Sequence, residues 1–135
     1  MNKKLAQEIY RACPIIFRNR EDGPHHSLMC FGFECGPGWF DLIYELSKKI
    51  EAIANEVKAS GTNDALPNVV QVKEKFGSLR FYLHNSTSEI EVLIRKAEQS
   101  SSKSCEVCGQ PGTLKPNNGW FTTLCDTCSE VENGN

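Results

Sequence analysis

The chain has 135 residues, 39% of them hydrophobic and 24% charged. That composition supports a packed core, argues against wholesale disorder, and fits one ordinary domain or a small core with an appendage. The net charge of −2 is too small for general nucleic-acid binding, and no run approaches the roughly 20 apolar residues of a bilayer crossing.

Leu5, Ile9 and Ala12/Cys13 recur every three to four residues until Pro14, which predicts a short amphipathic helix over 2–13. Residues 14–36 are punctuated by Pro14, Asn19 and Asp22-Gly23-Pro24 and read as irregular. Ile43, Leu46, Ile50, Ile53 and Val57 then form one apolar seam. It predicts a helix from about Gly38 to Ser60, with Gly61 placed to end it. The stretch 69–83 reads as a β-hairpin: Val70 and Val72 alternate on one arm and Leu79, Phe81 and Leu83 on the other, with Phe76-Gly77-Ser78 as the turn. Ser88-Glu89-Ile90-Glu91 fits a capping box, followed by a helix with Ile90, Leu93, Ile94 and Ala97 on its apolar face. The polar run 99–104 leads into a cysteine-rich tail. The expected fold class is α+β: helices packed on a two-stranded β-hairpin over 1–102, then a four-cysteine zinc-ribbon or treble-clef-like knuckle over 103–135.

The tail carries the strongest motif. Cys105-Glu106-Val107-Cys108 and Cys125-Asp126-Thr127-Cys128 are separated by the sixteen residues 109–124, within the spacing of a structural zinc site. Two residues between cysteines let both thiolates reach one ion from a tight turn. Four thiolates close a tetrahedral shell and leave no position for a reactive water, so the expected cofactor is one structural zinc ion. An iron–sulfur centre is the rival for the same ligands, and a thioredoxin-like redox pair fits two CxxC pairs less well. The Asn117-Asn118-Gly119 turn and a strand over 120–124 suit a knuckle, with any closing helix short or absent. The start, Met1 to Glu8, has basic residues and no apolar run, so no secretory signal is expected. With seven cysteines in such a chain, a reducing cytoplasm and metal ligation are expected rather than disulfides.

The stretch CFGFECGPGW, residues 30–39, poses a different question. Glu34 or Cys35 could act as an acid–base group or nucleophile, and the amides of Gly36, Gly38 and Trp39 could bind an anion at a helix start. A catalytic cysteine wants a basic partner, and Glu34 and Asp41 would oppose an anion. The favoured reading is architectural: Gly36-Pro37-Gly38 turns the chain into the helix, and Phe31, Phe33, Trp39 and Phe40 bury the entry. A contact surface is the next reading and catalysis the last. His25, His26 and His84 with Cys30 and Cys35 form a loose candidate for a second metal site, while Cys13 and Cys30 read as small buried apolar residues. Arg18, Arg20, Lys73, Lys75, Arg80 and Trp39 are the candidate partner-binding residues, against the ordinary reading of such charges as a solvated face.

Taken together, the blocks FGFECGPGWFDLI, QVKEKFGSLRFYL and CEVCGQPG…GWFTTLCDTC resemble a group of small phage and prophage proteins, over about Ile15 to Cys128. The resemblance implies a viral accessory setting inside a bacterial cytoplasm and brings no catalytic residues with it. The functional expectation is a protein that binds and inhibits a host protein, such as a CRISPR effector or another antiviral-defence component. The alternatives are a nucleic-acid-binding zinc-ribbon protein using Arg18, Arg20, Lys73, Lys75 and Arg80 on phosphates, and a small enzyme using Glu34 or Cys35.

Overall fold

A computed structural model describes residues 1–61, 65–117 and 119–132. Asn118 of the expected 117–119 turn lies outside the described residues, as do residues 133–135 at the end of the tail. Helix α1 spans Lys3–Ala12, capped by the Asn2 side chain accepting from the Leu5 amide. After it come turns, a 3-10 turn at Leu28–Phe31, strand β1 at Phe33–Glu34 and a second 3-10 turn at Pro37–Trp39 that opens helix α2, Phe40–Ala59. Strands β2 (Asn68–Lys75) and β3 (Ser78–His84), helix α3 (Ser88–Ser101), strands β4 (Thr113–Asn117) and β5 (Trp120–Leu124) and helix α4 (Asp126–Glu132) follow.

The first sheet has three strands rather than the two expected, in the order β1-β2-β3. Strand β2 pairs antiparallel with β3, and β1 adds to its other edge in parallel, setting Phe33 opposite Val72. Part of CFGFECGPGW is therefore a strand. Its two residues are too few for an alternation pattern, which is why it could not be read in advance. A register shift between Val69 and Gln71 also revises the hairpin. Val69 and Val72 are buried and Val70 is not, because a bulge inserts one residue and changes which side chains face the core.

One sheet face, carrying Phe33, Val72, Leu79 and Phe81, joins the seam of α2 (Ile43, Leu46, Ile50) and Ile90 and Ile94 of α3 in a single core. By alternation, Glu34, Lys73, Arg80 and Tyr82 lie on the opposite face. Tyr10, Phe17 and Phe33 pack ring to ring at 5.4–5.6 Å. The cap of α3 is Thr87, whose hydroxyl accepts from the Ile90 amide, so Ser88 is the first helical residue rather than the cap. The run 99–104 is the last turn of α3 and its exit. Within it, Ser101 is fully buried and accepts from the Leu79 amide at 2.9 Å, which locks the helix end to the sheet.

Glu51 is buried on α2 and unannounced by the apolar pattern. Its two carboxylate oxygens accept from the amides of Ile15 and Ile16, each at 3.0 Å, satisfying the backbone where α1 has just ended.

Candidate metal centre

The four sulfurs of Cys105, Cys108, Cys125 and Cys128 all lie within 4.8 Å of one another. Cys108 Sγ and Cys125 Sγ are 3.7 Å apart, far beyond a disulfide bond. A tetrahedral thiolate shell with metal–sulfur bonds of about 2.3 Å has sulfur–sulfur edges of about 3.8 Å, so the spacing and the donor set fit one metal ion. The first pair sits in a loop ahead of β4. There Gly109, at φ +83°, lets its amide donate to the Cys105 carbonyl at 2.9 Å. The second pair straddles the start of α4, where the Cys128 amide points at Cys125 Sγ. Cys105 is buried, Cys125 and Cys128 are half-buried, and Cys108 is exposed.

The thiols depend on one another for charge. Burial pushes Cys105 up, but hydrogen bonds from the backbone of Cys125, Cys108 and Val107 outweigh it and hold the group at about 6. The shared hydrogen bond with Cys125, together with burial, pushes Cys128 up to about 12. The Gln110 amide pulls Cys108 down, yet burial and the neighbouring thiols leave it raised. Four thiolates this close cannot all ionise alone, and a bound cation is what would let them do so.

The knuckle is built onto the core. The Gly38 amide donates to the Glu106 carbonyl at 2.8 Å, and the Gly36 amide donates to the Glu106 carboxylate at 2.8 Å. The Trp39 indole N–H donates to the Ser104 carbonyl at 2.9 Å. A Cβ on Gly38 would stand 2.2 Å from the Cys105 carbonyl oxygen, and one on Gly36 would stand 2.4 Å from that of Glu106. This explains the glycines of CFGFECGPGW: the first cysteine loop lies directly against them. At the other side, the Thr123 hydroxyl of β5 donates to the Gly77 carbonyl at 2.5 Å, and Leu114 of β4 covers Gly77.

The other candidate residues fare differently. Among the described residues only the four tail cysteines form a metal-competent group, so His25, His26 and His84 do not combine with Cys30 and Cys35 as one. Cys30 is exposed and Phe31 is 63% exposed, against the expectation that both are buried. Cys35 is buried, and burial followed by the nearby Glu106 carboxylate pushes its thiol up to about 12, the wrong direction for a nucleophile. Glu34 is exposed and accepts from the Gln71 amide group at 3.3 Å.

Trp39 is fully buried, so it belongs to the core and is unavailable to a partner. Arg18 donates to the carbonyls of Ile15, Leu66 and Pro67, which ties the loop after α1 to the residues before β2. Arg20 donates to the Phe17 carbonyl and lies over the Tyr10 ring. Arg80 meets Glu98 at 3.5 Å. Lys73 sits opposite Arg80 on the outer sheet face, and Lys75 lies 5.5 Å from the Phe76 ring centroid.

The pattern missed a surface. Phe76, Leu114, Trp120 and Phe121 are 66%, 53%, 73% and 51% exposed. Phe76, Trp120 and Phe121 line one open groove between the β2–β3 turn and the β4–β5 pair. In the sequence, Phe76 reads as a turn residue and Trp120 and Phe121 as strand residues, and only the docking of the two hairpins brings them together. No family model, curated protein or solved structure matches the chain.

Proposed function

We propose that this is a non-enzymatic binding protein of phage type that occupies and inhibits a host protein in the bacterial cytoplasm, in the class of antiviral-defence components such as CRISPR effectors. On this reading the metal is zinc, held by Cys105, Cys108, Cys125 and Cys128, and the knuckle is a ribbon or treble-clef-like staple with no catalytic position. One observation carries the reading: Phe76, Trp120 and Phe121 are exposed together in one groove on a scaffold braced by the cysteine knuckle and the three-stranded sheet. Clustered exposed apolar residues mark interaction sites on soluble proteins. The buried, raised thiol of Cys35 and the exposed, side-chain-bonded Glu34 weigh against the enzyme alternative.

The nucleic-acid alternative draws on Lys73, Arg80 and the 43% exposed Tyr82, which share the outer sheet face. Affinity capture from bacterial lysate, with and without nuclease, separates the two. One stoichiometric host protein that survives nuclease supports inhibition. A mixed set that vanishes with nuclease, and binding that collapses between low and moderate salt, supports nucleic acid instead.

A further inference from the structure

The four cysteines of the knuckle are not equally reachable. Cys105 is fully buried, Cys125 and Cys128 are half-buried, and Cys108 is exposed. Cys108 borders an open groove shared with Pro37, Gly38, Phe40 and Gln110, so a small oxidant can approach it without any opening of the fold. Its Sγ stands 3.7 Å from that of Cys125 in the other CxxC pair. A disulfide needs about 2.05 Å, so these two sulfurs close to bonding distance through a shift of under about 2 Å. Thiol oxidation follows thiolate character and exposure, and a neighbouring thiol resolves the sulfenic acid that forms first.

The first cysteine loop is held in place by bonds that do not involve sulfur. The Glu106 amide donates to the Thr123 carbonyl at 2.9 Å, the Gly38 amide to the Glu106 carbonyl at 2.8 Å, and the Trp39 indole to the Ser104 carbonyl. This loop therefore has its own attachment to β5 and to the start of α2. Helix α4 has less to hold it. Of residues 126–131 only Ser129 is buried, and a helix of seven residues does not stand alone in water. Cys128, inside α4, ties the helix to the four-sulfur cluster.

We infer that the cysteine site is also a redox switch: a peroxide joins Cys108 to Cys125 as a disulfide, which ejects the ion and frees α4 while the first loop stays on the core. This deepens, and rests on, the reading of the four cysteines as a zinc site. The Cys108 thiolate attacks one peroxide oxygen, which breaks the O–O bond and releases hydroxide. The Cys125 thiolate then attacks the Cys108 sulfur and displaces a second hydroxide. Two thiolates lose two electrons, the peroxide gains them, and two protons from solvent turn the hydroxides into water. Cys105 and Cys128 are left as two ligands, too few to close a tetrahedral shell. Chelation frees all four sulfurs, whereas oxidation ties the two pairs together, so the two treatments should leave different structures.

The test treats the full zinc-loaded chain with equimolar hydrogen peroxide. Released zinc is read with a chromogenic chelator, and linked peptides and hydrogen exchange by mass spectrometry. The expected result is zinc released in step with a Cys108–Cys125 link, with faster exchange over 126–132 and unchanged exchange over 36–39. Cys108→His keeps a three-cysteine, one-histidine donor set and should release zinc several-fold more slowly. Cys30→Ser, which lacks the other exposed thiol, should release it like the natural chain. A link within either CxxC pair, zinc retained through the treatment, or exchange rising equally at 36–39 overturns the inference. So does release that vanishes in Cys30→Ser or is unchanged in Cys108→His. If Cys108→His does not load zinc, the peptide map of the natural chain decides the pairing by itself. A natural chain that holds no zinc before treatment contradicts the zinc reading and the switch together.

Discussion

Gly38 and Glu106, 68 positions apart in the chain, are joined backbone to backbone: the amide of one donates to the carbonyl of the other at 2.8 Å. The bond puts the first cysteine loop against the start of α2, so that the four-cysteine knuckle, rather than a local side chain, completes the N-terminal turn of the long helix. No side-chain cap is found there. Gly38→Ala should therefore do more than stiffen a loop. Its Cβ would collide with the Cys105 carbonyl, and backbone must move to admit it, at a cost of about 1–3 kcal/mol or more. Chemical denaturation should show that loss together with weaker metal retention. A Gly38→Ala protein that keeps both would mean the loop and helix are not coupled.

Metal removal should be felt in the core. In a chelated protein, or in Cys105→Ser, the tail from 103 to 130 should lose protection because metal binding and local folding are one process. The amides of Gly36 and Gly38 should exchange faster in step with it. Hydrogen exchange read by mass spectrometry checks this, and the emission of buried Trp39 should shift to the red while that of exposed Trp120 has little to lose. Unchanged exchange over 36–39 would show that the helix start stands by itself.

Glu51→Ala should be among the most damaging single changes on α2. It leaves the buried Ile16 amide and the half-buried Ile15 amide without an acceptor. Each such orphan costs about 1–3 kcal/mol. Urea unfolding should show a loss of about 2–4 kcal/mol, with Glu51→Gln recovering part of it through its remaining oxygen. A loss below that of an ordinary surface substitution would contradict the assignment.

Two core thiols predict how stability responds to alkali. Burial, aided by Glu51, holds Cys13 at about 12, and burial with Glu106 does the same for Cys35, against an ordinary value of 9.0. Above pH 9 the unfolded chain gives up these protons while the folded chain keeps them. Their contribution is thus whole below that point and falls away as pH rises toward 12. Cys35→Ala should flatten the fall. At neutral pH, iodoacetamide should label exposed Cys30 ahead of Cys13 and Cys35, and rapid labelling of Cys35 would revive the enzyme alternative.

The long helix, the paired strands and the cysteine ligands were legible because each is written locally: in a 3–4 seam, an alternation of two, and two CxxC spacings. What was not legible depends on distant packing. Gly36 and Gly38 read only as a turn into the helix until the cysteine loop occupies the space where their Cβ atoms would be. Trp39 is buried, as the reading of the stretch as a helix entry expects and against its candidacy as a partner-binding residue, and what the sequence could not show is that its indole bonds to Ser104. Glu51 sits beside Ile50 on a seam that gives no sign of a carboxylate's partners. The surface of Phe76, Trp120 and Phe121 exists only once the two hairpins meet.

The knuckle depends on a metal held by its four cysteines, and native mass spectrometry of the purified chain tests this most directly. One zinc ion per chain, lost on acidification or in Cys105→Ser together with protease resistance of the tail, is the predicted result. A chain that carries no ion and keeps that resistance, or one that carries an iron–sulfur cluster, would contradict it.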